Sequence, residues 1–223
     1  SDQTGHPLVL EPEGGPSDEA LAWNNMSWGY WEYSFVPTVS RYKWLEPRHL
    51  VRICRRWARD KTDDLQHAFF NGIGYESWEN IFGVWNELTP RDAEALRRIA
   101  KIERPFADLL VSPGWEPHTP TLQYGVYASK FPGRTEVLWT LVNRNQYDLT
   151  GRQIRIPHKP GTRYYDVWHG VELTPEISGE ATTLSFDLEA HGYGAVLATA
   201  ESSLTGPVRK LLAEMNASSQ RLL

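Results

Sequence analysis

Two kinds of hydrophobic periodicity divide the chain near residue 113. Before it, short apolar runs at 8–11 and 68–70 alternate with segments in which apolar residues recur at helical spacing. After it, apolar and polar positions alternate strictly in places, as in Leu184, Phe186 and Leu188. A period near 3.6 residues is typical of an amphipathic helix, and a period of two is typical of a half-buried strand. The pattern therefore predicts an α/β segment followed by an all-β segment.

The first segment is predicted to contain two successive strand, loop and helix units. The first unit has a strand at 8–11, a long loop at 12–44 and a helix that begins at Glu46-Pro47 and has apolar positions Leu50, Ile53, Cys54 and Trp57. The second unit has a strand at 68–70, a polar turn at 71–80 and a helix that Thr89 caps and Pro90 begins. In α/β barrels the chemistry lies in the loops that follow the strands. The fold class expected for residues 1–112 is therefore part of a (β/α) barrel.

The second segment is predicted to form an antiparallel β-sandwich. Six β-rich runs are separated by Pro-Gly, Asn-Arg-Asn and Ser-Gly-Glu turns, and they lie at 122–128, 136–142, 153–156, 163–168, 182–188 and 193–199. A helix follows at 207–215, and 216–220 resembles a frayed end or linker. The expected domains are thus 1–112, 113–200 for the sandwich, and 201–223 for the helix and linker.

Composition excludes several classes of function. With 223 residues and 40% apolar content, the chain can bury one or two cores. Its net charge of -5 argues against a nucleic-acid partner, and no apolar run approaches the roughly 20 residues of a membrane helix. The single cysteine, Cys54, allows no intrachain disulfide, and no secretory leader is evident. We expect a soluble protein, with secretion or a periplasmic location both compatible with the sequence.

Metal and cofactor chemistry find no support in the sequence. The histidines are scattered without a ligand spacing, and neither a Gly-rich phosphate loop nor a Gly-x-Ser-x-Gly nucleophile elbow is present. No metal and no cofactor are therefore expected.

Aromatic residues are the main compositional clue. The chain has ten Trp and ten Tyr, and several are clustered among polar and Gly residues between Trp23 and Tyr33. Aromatic rings stack on the C–H faces of sugars, while amide and carboxylate groups bind the hydroxyls. A core position is the competing reading for any single ring. The substrate-binding candidates are Trp23, Trp28, Tyr30, Asn71, Tyr75 and Trp78.

Three carboxylates are candidate catalytic groups. Glu11 and Glu13 follow the first predicted strand, and Glu76 follows the second after a Gly72-x-Gly74 turn. Glycoside hydrolysis usually needs such a pair, one group protonating the leaving oxygen and the other acting as nucleophile or base. Glu76, flanked by aromatic residues, is the preferred general acid. A helix cap or an ion pair is the alternative role for each carboxylate.

These residues resemble a known family. The stretch Ser27-Trp28-Gly29-Tyr30 is similar to a loop that follows a late barrel strand in α-L-fucosidase-type glycoside hydrolases. The stretches 164–170 and 190–197 resemble strands of the C-terminal sandwich of glycosidases. The chain departs from the family where a Gly-Pro turn is expected, because 71–76 reads Asn-Gly-Ile-Gly-Tyr-Glu.

The resemblance implies that part of the enzyme lies outside this chain. The family's nucleophilic Asp belongs to an earlier barrel strand, so the expected partners are a carbohydrate and the N-terminal barrel half of the same protein. An ordinary ragged N-terminus is the alternative explanation of the abrupt start. The function expected is a glycosidase, and the alternative is a non-catalytic carbohydrate-binding or scaffolding segment, in which Glu11, Glu13 and Glu76 would be spread apart or held in ion pairs.

Overall fold

A computed structural model describes most of the chain. The described residues are 3, 5–6, 8–12, 15–29, 34–53, 60–76 and 88–220. They contain twelve strands, β1 to β12, in three sheets, and the described helices are labelled α1 to α5. Within these ranges, no helix has the length and apolar content needed to cross a membrane.

A three-stranded parallel sheet forms the first part of the molecule. Its strands, in the order β1-β2-β3, are β1 (Met26–Gly29), β2 (Leu50–Ile53) and β3 (Gly74–Tyr75). The helices α1 (Arg41–Leu45) and α2 (Thr62–Asn71) lie between successive strands along the chain. Parallel neighbours need crossover connections of this kind, since a tight turn can join only antiparallel strands. This part is a run of β, α, β, α and β elements.

Two antiparallel sheets form the second part. One has six strands in the order β4-β5-β6-β12-β8-β9, and the other has three in the order β10-β11-β7. The bounds are β4 Glu116–Thr119, β5 Val126–Pro132, β6 Glu136–Asn143, β7 Arg152–Pro157, β8 Thr162–Asp166, β9 Val171–Leu173, β10 Glu176–Ser178, β11 Ala181–Ser185 and β12 Tyr193–Ala200. Helices α3 (Pro90–Glu103) and α4 (Ala107–Leu110) precede these sheets, and α5 (Gly206–Ser219) follows them.

The six-stranded sheet is covered on both faces. Along β12, Tyr193, Ala195 and Leu197 belong to a core shared with α2, α3 and α5. The intervening Val196 and Ala198 belong to a second core, shared with the three-stranded antiparallel sheet. Since successive side chains of a strand point to opposite faces, one strand contributes to both cores. The helices, the large sheet and the small sheet therefore form consecutive layers.

Several elements expected from the sequence are confirmed. All six predicted β-rich runs overlap strands, and the C-terminal helix is present as α5. This helix continues through 216–219, where a frayed end or linker was expected. The N-terminus of α3 is also as predicted, because the Thr89 side chain accepts a hydrogen bond from the Asp92 amide and Pro90 occupies the first turn. Local sequence signals were sufficient where turn or cap residues limit a segment with a clear hydrophobic period.

Two predictions in the first part are wrong. The segment Leu50–Ile53, expected to begin a helix, is strand β2, which pairs with β1 on one side and β3 on the other. The segment 68–70, expected to be a strand, belongs to helix α2. A short apolar run fits both the helical and the strand period, so the elements that pack or pair with it decide its structure. Cys54 and Trp57 of the expected helix lie outside the described residues.

The N-terminal predictions also need correction. Residues 8–12 are not a strand, although the Leu10 carbonyl accepts hydrogen bonds from the amides of Asn25 and Met26. The expected loop at 12–44 contains both β1 and α1. The predicted turn after 68–70 is instead the end of α2, where Gly72 has a φ of 59° and closes the helix in the left-handed conformation.

Candidate functional site

The two faces of the parallel sheet differ in chemistry. Val51 and Ile53 of β2 pack with Ala68 of α2 in a small buried core. Arg52 lies between them, so its side chain points to the opposite face. In the register of the sheet, Arg52 is directly beside Trp28 of β1. The face turned away from α2 thus carries a guanidinium group and an indole ring.

Arg52 binds two of the three predicted catalytic carboxylates. Its Nη2 lies 2.5 Å from Glu11 Oε2, and its Nε lies 2.6 Å from Glu76 Oε2. All three side chains are about one quarter exposed, with Arg52 at 24%, Glu11 at 22% and Glu76 at 23%. Because both carboxylates contact one guanidinium group, they lie within about 10 Å of each other, the range occupied by glycosidase pairs. We call Glu11, Trp28, Arg52 and Glu76 the Arg52 cluster.

Backbone pairing places both carboxylates. Glu76 follows β3 directly, and its amide donates to the carbonyl of Ile53 at 2.9 Å. Glu11 follows Leu10, whose amide donates to the Asn25 side chain at the beginning of β1. Parallel strands present their carboxyl ends at one edge, where Glu76 lies, whereas Glu11 is held through the bonds of Leu10 with Asn25 and Met26 at the amino end of β1. The Arg52 cluster is therefore positioned by the sheet rather than by long flexible connections.

The cluster retains capacity for a ligand. Glu11 Oε1 is shielded from solvent and accepts no hydrogen bond from the described residues. The Arg52 guanidinium carbon lies 5.6 Å from the centre of the Trp28 ring, so the ring and the ion-paired groups are adjacent. A sugar offers an apolar face for such a ring and hydroxyl groups for such carboxylates.

The remaining predicted site residues have different positions. Asn71 is fully buried; its Oδ1 accepts from the Ser40 amide, and its Nδ2 donates to the carbonyls of Thr38 and His67, so its amide holds the scaffold together. Tyr75 of β3 is half-buried and packs against the large core. Trp23 is 78% exposed. The predicted site residues Glu13, Tyr30 and Trp78 lie outside the described residues.

Arg52 is the site residue that the sequence interpretation did not select. It was assigned to the polar face of a helix, since an arginine among Leu50, Val51 and Ile53 fits that period. The sequence contains one usable signal, because Arg52 lies between the β-branched residues Val51 and Ile53. A charged residue in such a position is typical of a strand with one polar and one apolar face. Only the pairing with β1 and β3 shows that this position meets both carboxylates.

A second charged cluster lies between the two antiparallel sheets. His169 Nδ1 is 2.6 Å from Asp166 Oδ2, and its Nε2 is 3.0 Å from Glu189 Oε1. Burial alone lowers the pKa of His169, but the hydrogen bonds to the two carboxylates outweigh it and raise that pKa to about 10. Asp166 and His169 also line an open cavity of about 380 Å³, with Leu173 and Phe186 as apolar parts of its wall.

The His169 cluster predicts a pH dependence of stability. Because folding raises the pKa of His169 from 6.5 to about 10, the stabilisation is complete below pH 6.5 and is lost as the pH rises through 10. Two hydrogen bonds to a charged group predict a loss on the order of 2 kcal/mol. We expect the His169→Gln variant to lack this decline when thermal unfolding is compared with wild type between about pH 6 and about pH 10.5. Parallel pH curves for the two proteins would contradict the bridge.

Metal-binding geometry is not found in the parts of the chain that the structure describes. No group of three or more His, Cys, Asp or Glu side chains in those ranges is arranged to hold an ion. In the Arg52 cluster a guanidinium group lies between the two carboxylates.

Comparison with known proteins identifies a fold but no sequence family. No protein-family model and no curated protein matches the chain. Among solved structures, an α-amylase from H. orenii has a TM-score of 0.54 at 9% identity, over 86% of this chain and 54% of the amylase. A GH27 β-L-arabinopyranosidase from Geobacillus stearothermophilus has a TM-score of 0.49 at 11% identity, over 89% of this chain and 52% of that one.

A GH30 subfamily 8 xylanase from Clostridium acetobutylicum has a TM-score of 0.48 at 13% identity, over 86% of this chain and 56% of the xylanase. The chain therefore spans about half the length of these solved structures. At such low identity the likeness concerns the fold alone. The chain has a glycoside-hydrolase-like fold.

Proposed function

We propose that this chain is the C-terminal portion of a glycoside hydrolase that binds and cleaves a carbohydrate. In this proposal residues 1–112 complete a (β/α) barrel, residues 113–200 are the β-sandwich that follows it, and residues 201–223 are a terminal helix and linker. The face of the parallel sheet turned away from α2 then lines the barrel interior, and the carboxyl ends of β1 to β3 lie at its mouth.

The observation that carries the proposal is the meeting of Glu11 and Glu76 at Arg52, beside Trp28. Paired carboxylates next to an aromatic ring match the needs of glycoside chemistry, in which charge develops on the sugar ring in the transition state. Asn71 has no place in this site, because its amide is used within the scaffold.

Arg52 refines the role of Glu76. The Glu76 carboxylate lies 2.6 Å from Arg52 Nε, a position that suits a base, a nucleophile or an acceptor of sugar hydroxyls. A general acid must instead release a proton to the leaving oxygen, and substrate entry would have to separate Glu76 from Arg52 for that role. The α-L-fucosidase type is the specific family proposed, on the Ser27–Tyr30 stretch, with the nucleophile supplied by an earlier barrel strand.

The alternative proposal is a non-catalytic carbohydrate-binding or scaffolding segment. The observation that favours it is the ion pairing itself, since both carboxylates have a cationic partner within 2.6 Å. Binding alone needs only that the pair be held still, whereas turnover needs one carboxylate to change its protonation or bonding state. Sugar binding is common to both proposals, and turnover separates them.

Sugar binding at Trp28 provides the first test. In the full-length protein, we expect millimolar binding of at least one of L-fucose, D-xylose, L-arabinose and D-glucose by NMR titration. Trp28→Ala should weaken it about tenfold through lost stacking, and Trp28→Phe should keep most of it. Trp44→Ala is the matched control, because Trp44 is an exposed tryptophan of α1 outside the Arg52 cluster. Unchanged affinity in Trp28→Ala would contradict the site.

A further inference from the structure

Three aromatic rings, two exposed and one partly buried, lie together where the first part of the molecule meets the six-stranded sheet. Phe35 stacks on Tyr124 with ring centres 5.9 Å apart and an angle of 26°, and it meets Tyr127 edge-on at 6.0 Å. Tyr124 is 79% exposed and Phe35 is 42% exposed. We call Phe35, Tyr124 and Tyr127 the aromatic platform. The large exposure of two stacked rings is unusual for residues whose only role is packing.

Arg144 holds the Phe35 side of the aromatic platform in place. Its guanidinium group donates to the carbonyls of Ser34 and Phe35, each at 3.2 Å. The same group binds Gln66 Oε1 at 2.5 Å and Asp63 Oδ1 at 2.8 Å, both on α2. The Arg144 side chain is only 9% exposed. A nearly buried cation thus ties the segment that carries Phe35 to both α2 and β6.

The Tyr124 side of the aromatic platform is held by the Arg144 backbone and by Asn145, the residue after Arg144. Asn145 donates from Nδ2 to the Tyr124 carbonyl at 2.8 Å, and the Arg144 amide donates to the Gly125 carbonyl at 2.8 Å. Asn143 in turn accepts from the Asn145 amide and side chain, both at 2.9 Å. Both backbones that carry the rings are therefore positioned before any ligand arrives. Such preorganisation reduces the entropy lost on binding.

The size of the aromatic platform favours a small ligand over a protein partner. A fully buried aromatic side chain contributes about 150–250 Å², so the exposed parts of three rings fall well short of the roughly 800 Å² per partner in a stable protein interface. The platform also has a polar character. Tyr124 and Tyr127 each carry a phenol hydroxyl, and burial raises the pKa of the Tyr127 phenol. Ring faces next to phenol hydroxyls suit a sugar.

The platform lies near the carboxyl end of β1. Phe35 is six residues after Gly29, the last residue of β1, so the chain between them spans at most about 20 Å. Trp28 and the Arg52 cluster are at this end of the sheet. A saccharide of several units is therefore long enough to contact both places.

We propose that the aromatic platform binds outer sugar units of a saccharide chain whose terminal or cleaved unit occupies the Arg52 cluster. The substrate class is accordingly an oligosaccharide or polysaccharide rather than a simple monoglycoside. This inference rests on the proposed function for the position of the reacting unit, but the platform's affinity for sugar can be measured independently of it.

The test compares saccharides of different length in the full-length protein. Maltoheptaose, cellohexaose, xylohexaose and fucosyllactose are titrated by calorimetry, with the methyl glycosides of their component sugars as short comparators. We expect at least one oligosaccharide to bind more tightly than its methyl glycoside. Tyr124→Ala should weaken that oligosaccharide about fivefold and leave the methyl glycoside unchanged, because one stacked ring is lost.

Two control variants separate stacking from other effects. Tyr124→Phe keeps the ring and should bind within about twofold of wild type, because stacking needs the ring face and not the hydroxyl. Ile177→Ala, the truncation of another exposed apolar side chain, on β10 of the other antiparallel sheet, should have no effect. Since Tyr124 is 79% exposed, the melting temperatures of these variants should match wild type.

The outcomes distinguish this inference from the proposed function. If no oligosaccharide in the panel binds, or if Tyr124→Ala binds all of them as wild type does, the aromatic platform is not a sugar site. If Tyr124→Ala loses oligosaccharide affinity while Trp28→Ala retains affinity for every sugar, the platform stands and the Arg52 site fails. If both Tyr124→Ala and Trp28→Ala lose affinity for the oligosaccharide, and only Trp28→Ala loses affinity for the methyl glycoside, the result supports one saccharide chain that occupies both the aromatic platform and the Arg52 cluster.

Discussion

The Glu76→Gln variant of the full-length protein is expected to lose glycosidase turnover by a factor of about a thousand while retaining its fold. Removing a group that transfers a proton or forms a bond in the transition state typically costs two to four powers of ten in rate. Glutamine keeps the size of Glu76 and removes its charge, so it loses the ion pair with Arg52. The ion pair between Arg52 and Glu11 remains, so the cluster should stay assembled.

The measurement is initial-rate hydrolysis of a panel of aryl glycosides, together with sugar affinity. Glu172→Gln is the matched control, since Glu172 on β9 is also ion-paired with an arginine, Arg163, but in the six-stranded sheet. That control should turn over at the wild-type rate. A wild-type rate in Glu76→Gln would rule out catalysis by Glu76. Lost turnover with retained sugar affinity would support the catalytic proposal over the scaffolding one.

The largest effect on stability is expected at Lys43. This residue of α1 is only 2% exposed, and its ammonium group donates to the carbonyls of Gly72 at 2.9 Å and Leu110 at 2.5 Å. It also lies 5.5 Å from the ring centre of Trp115 and 5.4 Å from that of Phe131. One side chain thus joins α1, the end of α2, the end of α4 and the six-stranded sheet.

Opposing terms determine the sign of this effect. Burial lowers the pKa of Lys43 to about 8, with the Glu103 carboxylate opposing that shift, so holding the ammonium group inside the protein has a cost. Truncation to alanine relieves that cost, but it leaves a cavity and two buried carbonyls without their donor. The cavity alone costs about 2–5 kcal/mol, and each carbonyl adds about 1–3 kcal/mol. Together these costs are at least about 4 kcal/mol, and the relieved desolvation offsets part of them, so we expect Lys43→Ala to be destabilised by about 3 kcal/mol or more.

Chemical unfolding of three variants measures this balance. Lys43→Met keeps the volume of the side chain and loses only the donor, so it should be destabilised less than Lys43→Ala. Lys130→Ala is the control, because Lys130 makes a surface ion pair with Glu116 and should shift the free energy of unfolding by less than about 1 kcal/mol. A Lys43→Ala free energy of unfolding within 1 kcal/mol of wild type would show that Lys43 is not a structural link.

Gly72 shows how closely the surrounding structure is packed. Its left-handed φ of 59° ends α2, and a Cβ atom built there would lie 2.9 Å from Leu110 and 3.0 Å from Phe131. Both constraints require glycine at this position. The sequence interpretation assigned this glycine to a turn that directs Glu76 into a barrel mouth. Its actual role is to let α2 end against the six-stranded sheet, where Lys43 binds the Gly72 carbonyl.

The sequence alone determined the elements whose signals are local. Strict alternation and Gly- or Asn-containing turns predicted all six main strands after residue 113, because each run is bounded by residues that stop a strand. The cap at Thr89 predicted the beginning of α3 for the same reason. Glu11 and Glu76 were selected because they follow the strands predicted at 8–11 and 68–70, and neither segment is a strand in the structure.

Tertiary structure decided the rest. Leu50–Ile53 forms a strand because β1 and β3 supply hydrogen-bonding partners on both sides, and 68–70 is helical because Phe69 and Phe70 fill the core beneath the six-stranded sheet. Neither partner is encoded within the segment itself, so a short apolar run cannot reveal it. The same reason hid Arg52. Its contacts reach Glu11, which lies 41 positions earlier in the chain, and Glu76, which directly follows the neighbouring strand β3. Long-range pairing, which no local period records, assembles this site.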